Sequence, residues 1–238
     1  MDWKVLLLVF LFIGCTEQPE KTRVGRVIDG DTLELENGSK VRLNGINTPE
    51  KGERLWDEAR IELLWVEGSE VRLERDIERK DRYGRLLMYV YSDGEMINQR
   101  LVAKGLAHVY RTKNRMHLDV LLEEEKKARE KQLGIWEESE EGCVELLELD
   151  AEEEYFVIEN KCPYKVNISY WKVKDEATNS LEFPEFMLEA NALLTVHSGK
   201  GISNITDLYW GKGNVWNNDY DRLFLRDSDG LLVAFEEY

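Results

Sequence analysis

The pair Asn37-Gly38, set between two runs of alternating residues, constrains this chain more than any other feature. An Asn-Gly pair supplies the positive φ that both centre positions of a two-residue hairpin turn require. The flanking Leu33-Glu34-Leu35-Glu36 and Lys40-Val41-Arg42-Leu43 each place apolar side chains on one face. Upstream, Asp29-Gly30-Asp31 is a second turn signal, after a run containing Val24, Arg26, Val27 and Ile28. Three hairpin-linked strands therefore bring Asp31, Arg42 and the Asn47-Thr48-Pro49-Glu50 turn within reach of one another. Carboxylates, carbonyl oxygens and a guanidinium on one rim suit a hard cation and a phosphate together. Taken singly, each piece has a plainer reading: a turn, a surface arginine, the start of a helix.

Further along, residues 53–67 carry Leu55, Trp56, Ala59, Leu63 and Trp65-Val66 near helical spacing and stop at Gly68. Residues 69–77 alternate as a half-exposed strand, residues 81–85 turn, and residues 86–91 form the next strand. A helix over 96–104 ends at Gly105. Another, over about 117–132, puts Leu118, Leu121, Leu122 and Ala128 on one side, with Gly134 just beyond. Five short, tightly linked strands interrupted by helices suit a closed OB-type barrel.

The motifs I-D-G-D-T, V-R-L-N-G-I-N-T-P-E, D-R-Y-G-R at 81–85 with the following L-L-M-Y-V-Y-S-D-G, A-K-G-L-A at 103–107 and G-I-W at 134–136 stand in order. Through them the chain resembles the staphylococcal-nuclease-like (thermonuclease) domains over about half its length. The resemblance implies a five-stranded OB-type barrel with helices over 23–137. It also implies a Ca²⁺ ion held by Asp31, residue 47 and the Thr48 carbonyl, with Arg42 and Arg85 on the phosphate. Glu50 would orient or deprotonate the attacking water, and Tyr83 and Tyr110 would flank a nucleotide beside Arg82. For Tyr110, packing at the barrel rim is an equal alternative. Arg82, Arg111, Lys113 and Arg115 form a basic patch nearby, whereas His108 and His117 have no partner motif and read as structural. Position 47 departs from the pattern, because Asn stands where the best-known member has Asp. One charge is lost there, so calcium affinity is expected to fall.

The net charge of −16 would argue against nucleic acid if it were evenly spread, but residues 137–238 hold 8 basic and 23 acidic side chains. Residues 138–154, with their glutamate runs, read as an acidic linker with a short strand over 143–149. Strands are then expected over 155–160, 166–174, 193–197, 208–211, 215–219, 222–225 and 231–235, as in an immunoglobulin-like β-sandwich over 155–238. The features E-Y-F-V-I-E-N, W-K-V-K-D-E, F-P, L-E-A-N-A-L-L-T-V-H-S-G-K-G and V-W-N-N-D-Y-D-R-L-F-L-R-D-S-D-G resemble the lamin-tail domains. The whole is thus β-rich: an α+β barrel, then a sandwich. The second half carries no catalytic constellation. Asp227-Ser228-Asp229-Gly230 reads as a turn, and the resemblance implies binding to a surface component.

The chain opens with about ten apolar residues, too few to span a bilayer but suited to a signal peptide over 1–15. Phe12-Ile13-Gly14-Cys15 resembles a lipobox, making Cys15 a lipidation site. An uncleaved signal anchor is the rival. Residues 16–22 read as a tether, so the body is expected to be exported and held at the outer face of the membrane by lipid, or secreted if the anchor is absent. Cys143 and Cys162 then form an even pair, able to make a disulfide or to stay as buried thiols.

The expected function is calcium-dependent hydrolysis of DNA, with RNA as a further candidate. The alternative is a non-catalytic nuclease-like binding or adhesion module on the cell surface. Retention of Asp31, Arg42, Glu50 and Arg85 favours the enzyme.

Overall fold

The computed structural model of the chain describes residues 20–238. The expected signal peptide, Cys15 and residues 16–19 of the tether lie outside the described residues. The first half runs β1 (Glu20–Val27), β2 (Thr32–Leu35), β3 (Lys40–Leu43), β4 (Ile46–Asn47), α1 (Trp56–Leu63), β5 (Glu70–Glu74), β6 (Leu86–Ser92), β7 (Glu95–Met96), α2 (Ile97–Ala103), β8 (His108–Val109) and α3 (Leu118–Glu130). Residues 20–22, expected as tether, belong to β1.

Strand β1 serves two partners: residues 20–23 pair antiparallel with β5, and residues 24–27 with β2. A bulge between Val24 and Arg26 bends it from one to the other. Strand β2 pairs with β3, β3 lies parallel to β6, and β6 returns to β5, closing a five-stranded barrel. The period-two pattern turns Val24, Leu33, Leu35, Val41, Leu43, Val71, Leu73, Met88 and Val90 inward.

The 35–39 turn differs from the two-residue form expected. Only Gly38 has positive φ (+81°), and the Asn37 side chain accepts the Ser39 amide at 2.9 Å, favouring a longer loop with a single left-handed residue. Helix α1 is shorter than 53–67 because Glu53 bonds back to the Glu50 carbonyl and Leu55 takes φ +68°. The two motif glycines Gly105 and Gly134 meet: a Cβ on either would lie about 2 Å from the other segment's backbone, and Ile135 donates to the Gly105 carbonyl.

The second half contains β9 (Val144–Asp150), β10 (Tyr155–Asn160), β11 (Val166–Asn167), β12 (Lys172–Lys174), β13 (Ser180–Glu182), β14 (Met187–Leu188), β15 (Leu193–His197), β16 (Asp207–Tyr209), β17 (Arg222–Arg226) and β18 (Leu232–Glu237). Two four-stranded sheets, β16-β15-β10-β9 and β13-β12-β17-β18, enclose Phe156, Ile158, Trp171, Val173, Val196 and Leu225. The expected strand over 166–174 is broken at Tyr170 (φ +63°), where the chain swings Trp171 into the core. Residues 215–219 form no strand, since the Val215 and Trp216 amides donate to the Glu154 carboxylate instead of to a ladder. Much of the expected 138–154 linker is built into the sandwich: β9 pairs along β10, and Cys143 is bonded to Cys162 with Cα atoms 5.3 Å apart.

The domains share an apolar seam in which Ala128, Ile135 and Trp136 of the barrel half pack on Phe224, Leu232 and Phe235. Across it, Arg222, fully buried on β17, is bidentate to Glu125 of α3 with both contacts at 2.8 Å. No helix among the described residues is long and apolar enough to cross a membrane.

Candidate active site

Glycine at position 30 makes the rim. A Cβ there would sit 2.7 Å from the Thr48 hydroxyl and 2.8 Å from Ala59, so only glycine lets the 29–31 turn lie against the 47–50 turn. Asp31, buried, accepts the Thr32 hydroxyl at 3.0 Å, and the Thr48 amide and hydroxyl at 3.4 Å each. Register places Thr32 opposite Arg42, whose Nη2 lies 3.1 Å from Asp31 Oδ2 and also donates to Asn47 Oδ1. Arg85 is aimed by Asp81, which accepts its Nε at 2.6 Å and its amide at 2.9 Å. Burial alone would raise the Asp81 carboxyl, but the bonds from Arg85 and the backbone hold it below its ordinary range. Arg85 Nη1 then donates to the Thr32 hydroxyl at 3.2 Å, so Arg85 is linked to Asp31 through Thr32 while Arg42 meets Asp31 directly.

Glu50 stands at the exposed end of the turn, its amide bound to Glu53 Oε2 at 2.7 Å. Partial burial raises its carboxyl. Lys174 opposes that rise, and the charges of Asp31, Glu53 and Asp29 add to it. Asp29 is raised by burial and then by Asp31. Tyr83 lies open at the rim, with the Arg82 and Arg85 guanidinium groups 4.9 and 5.5 Å from its ring. Beside it is a depression of about 270 Å³ whose lining includes Lys40, Lys80 and Arg85 and no carboxylate.

Tyr110 is half-buried near Arg42 and Arg82, its hydroxyl raised by burial and then by Glu176. Arg111 has turned away, onto the Tyr220 ring of the second domain at 3.9 Å. His108 is buried and kept neutral, pushed well below the usual imidazole value by burial and then by Arg222. His117 bonds Tyr91 and Glu74.

Sequence reading missed Thr32, Glu53, Asp81, Lys174 and Glu176. Asp81 had a signal in its spacing of four from Arg85. Lys174 and Glu176 had none, since they reach the rim from the other domain. Asn47 Nδ2 donates to the Glu176 carbonyl at 3.0 Å, and Lys174 Nζ is 2.9 Å from Glu53.

Among the described residues, no three His, Cys, Asp or Glu side chains group as a metal cluster. The candidate donors are one carboxylate (Asp31), the Asn47 side-chain oxygen and the Thr48 carbonyl. A set this rich in neutral oxygens suits a hard, oxygen-preferring divalent cation completed by water.

Residues 40–138 match the family model described as staphylococcal nuclease homologue, and residues 137–238 match the lamin tail domain. Asp31 lies just before the first match. A relative named thermonuclease, from Staphylococcus intermedius, is 36% identical over 132 residues, covering 50% of this chain and 77% of the relative. Another, from Staphylococcus hyicus, is 34% identical over 143 residues, covering 53% of this chain and 82% of the relative. An uncharacterized endonuclease of Haemophilus influenzae is 36% identical over 137 residues, covering 55% and 75%. With the I-D-G-D-T turn, both arginines and the closed barrel in place, the chain belongs to the staphylococcal nuclease homologue family and carries a lamin tail domain behind its barrel.

Proposed function

We propose that this nuclease-family chain hydrolyses phosphodiester bonds within DNA, and within RNA as a second substrate, with Ca²⁺ as cofactor. The observation that carries the reading is the linked unit of Arg42, Asp31, Thr32 and Arg85, ion-paired at Arg42–Asp31 and hydrogen-bonded through Thr32 to Arg85, with Glu50 in electrostatic reach. Two planar guanidinium forks neutralise a phosphate and follow its charge into the five-coordinate transition state. The raised Glu50 carboxyl is suited to take a proton from the attacking water. Held by Asp31, Asn47 and the Thr48 carbonyl, calcium would supply further positive charge where the phosphate oxygens develop negative charge. Exposed Tyr83 offers a stacking face that accepts any base. The backbone of the bound strand then passes over Lys40 and Lys80, which line that depression with no carboxylate among its lining residues.

Export fits the Cys143–Cys162 bond, which persists in oxidising compartments. In this reading Cys15 takes the lipid and the tail domain meets a surface component.

The test is plasmid DNA with the full chain, with and without EGTA, beside Arg85→Ala. Loss of one guanidinium should lower kcat by about 10²–10³, and chelation should abolish cleavage. A chain that binds DNA without cutting it is the binding module instead.

A further inference from the structure

We propose that the tail domain is a working wall of the catalytic cleft: the end of β12 and its turn, Lys174 to Glu176, braces the 47–50 turn and sets where Glu50 stands. The inference rests on the hydrolase reading above and names positioning residues for it.

Two hydrogen-bonded links carry it, one at each end of the turn. At the far end, Lys174 Nζ donates to both Glu53 oxygens, at 2.9 and 3.0 Å, and Glu53 Oε2 accepts the Glu50 amide at 2.7 Å. The backbone of Glu50 is therefore held by a carboxylate that is itself oriented from the other domain. At the near end, the Glu176 carbonyl accepts Asn47 Nδ2 at 3.0 Å, which leaves Asn47 Oδ1 facing Arg42.

The bracing segment is stiff. Asp175 Oδ1 accepts the amides of Ala177 and Asn179 at 3.0 and 2.8 Å, and the Glu176 amide donates to Asp221 at 3.0 Å. Strand β12 is gripped on both edges by β13 and β17, and Glu176 Oε1 accepts the Arg111 amide at 3.2 Å. The Arg222–Glu125 pair and the apolar seam fix the two domains against each other, so the brace has a firm base.

The chemistry explains the residue at 47. An aspartate there has no donor for the Glu176 carbonyl and would set two acceptors face to face. Asparagine donates at one end and accepts at the other.

Without Lys174, Glu53 is free to leave the Glu50 amide and the carboxylate loses its fixed position. Groups that orient a reacting residue typically matter by about 10–100-fold in rate. The experiment uses the full chain with Lys174→Ala and Lys174→Arg. Steady-state hydrolysis of a defined oligonucleotide gives kcat and KM, and hydrogen exchange at the Glu50 amide reads the brace without reference to turnover.

The expected result for Lys174→Ala is faster exchange at Glu50 and a kcat lower by about 10–100-fold, with KM changed less. Lys174→Arg should recover most of both. Wild-type exchange and wild-type kcat in Lys174→Ala would overturn the proposal. So would an equal fall in kcat, binding and thermal stability that arginine does not rescue. If the wild-type chain does not hydrolyse the oligonucleotide, the hydrolase reading falls, while amide exchange still decides whether the brace exists.

Discussion

Arg222→Ala should cost about 3–5 kcal/mol of stability, the range for removing one partner of a buried ion pair. Arg222 is fully buried and spends its guanidinium across the domain boundary. It donates to Glu125 at 2.8 Å through each terminal nitrogen, to the Val109 carbonyl at 3.0 Å and to the Tyr220 hydroxyl at 2.5 Å. Glu237 lies 3.1 Å away. Alanine leaves Glu125, 2% exposed, with the Val109 amide at 2.6 Å as its remaining hydrogen bond among the described residues. Urea unfolding followed by tryptophan fluorescence measures the loss. Because the pair joins α3 to β17, the variant should also separate one unfolding transition into two. Arg222→Met combined with Glu125→Leu removes both charges and should recover most of the stability, since apolar replacement of a buried pair is often neutral. A loss below about 1 kcal/mol for Arg222→Ala, or a double variant no better than the single, would refute the reasoning.

Lys40→Gln with Lys80→Gln should weaken single-stranded DNA binding and flatten its dependence on salt, by about 0.7 in logarithmic slope for each phosphate no longer neutralised; titrations at several salt concentrations read it. Glu176 is pushed up to about 7, chiefly by burial, which the Arg111 amide and Arg222 only partly offset. Its folded value lies above its unfolded one, so its contribution to stability is full below about pH 4.5 and is lost as pH rises through about 7. Glu176→Gln should remove that fall, on the order of 3 kcal/mol at most, in melts between pH 5 and 8. Asn47→Asp should lower the calcium concentration for half-maximal cleavage. It should also weaken domain docking by about 1–3 kcal/mol, seen in chemical unfolding, because the Glu176 carbonyl loses its donor.

The barrel and most of its rim were legible because they are local. Asn37-Gly38, Asp29-Gly30-Asp31 and the alternating runs fix neighbouring strands, and Asp31 immediately precedes β2 while Arg42 lies on β3 of the same hairpin. Arg85 was harder, and the motif resemblance rather than periodicity supplied it; its geometry depends on Asp81 and on Thr32 across the barrel. The broken strand at Tyr170 escaped because Val166, Trp171 and Val173 are apolar in either conformation, and only core packing decides where Trp171 goes. The share of the site held by Lys174 and Glu176 had no signature at all. Alternation in W-K-V-K-D-E reads the same whether the lysine meets water or Glu53. For the same reason the barrel is not a neutral fragment: removing residues 143–238 would strip the partner from Glu125 and bare Ile135 and Trp136.

That interface also resolves how a domain with 8 basic and 23 acidic side chains can sit beside a site meant for a polyanion. Three of its cations face the barrel: Lys174 at Glu53, Arg222 at Glu125, and Arg226 donating to the Ile135 carbonyl at 2.7 Å. The tail thus brings paired cations to this interface along with the acidic Glu176, whose carboxylate accepts the Arg111 amide at 3.2 Å. One consequence is directional. With Glu176 and Lys174 closing the side of Asn47 and Glu53, the proposed reading takes a bound strand past Tyr83 and across Lys80 and Lys40. On the proposed reading, the tail therefore directs a bound strand toward the basic side of the rim.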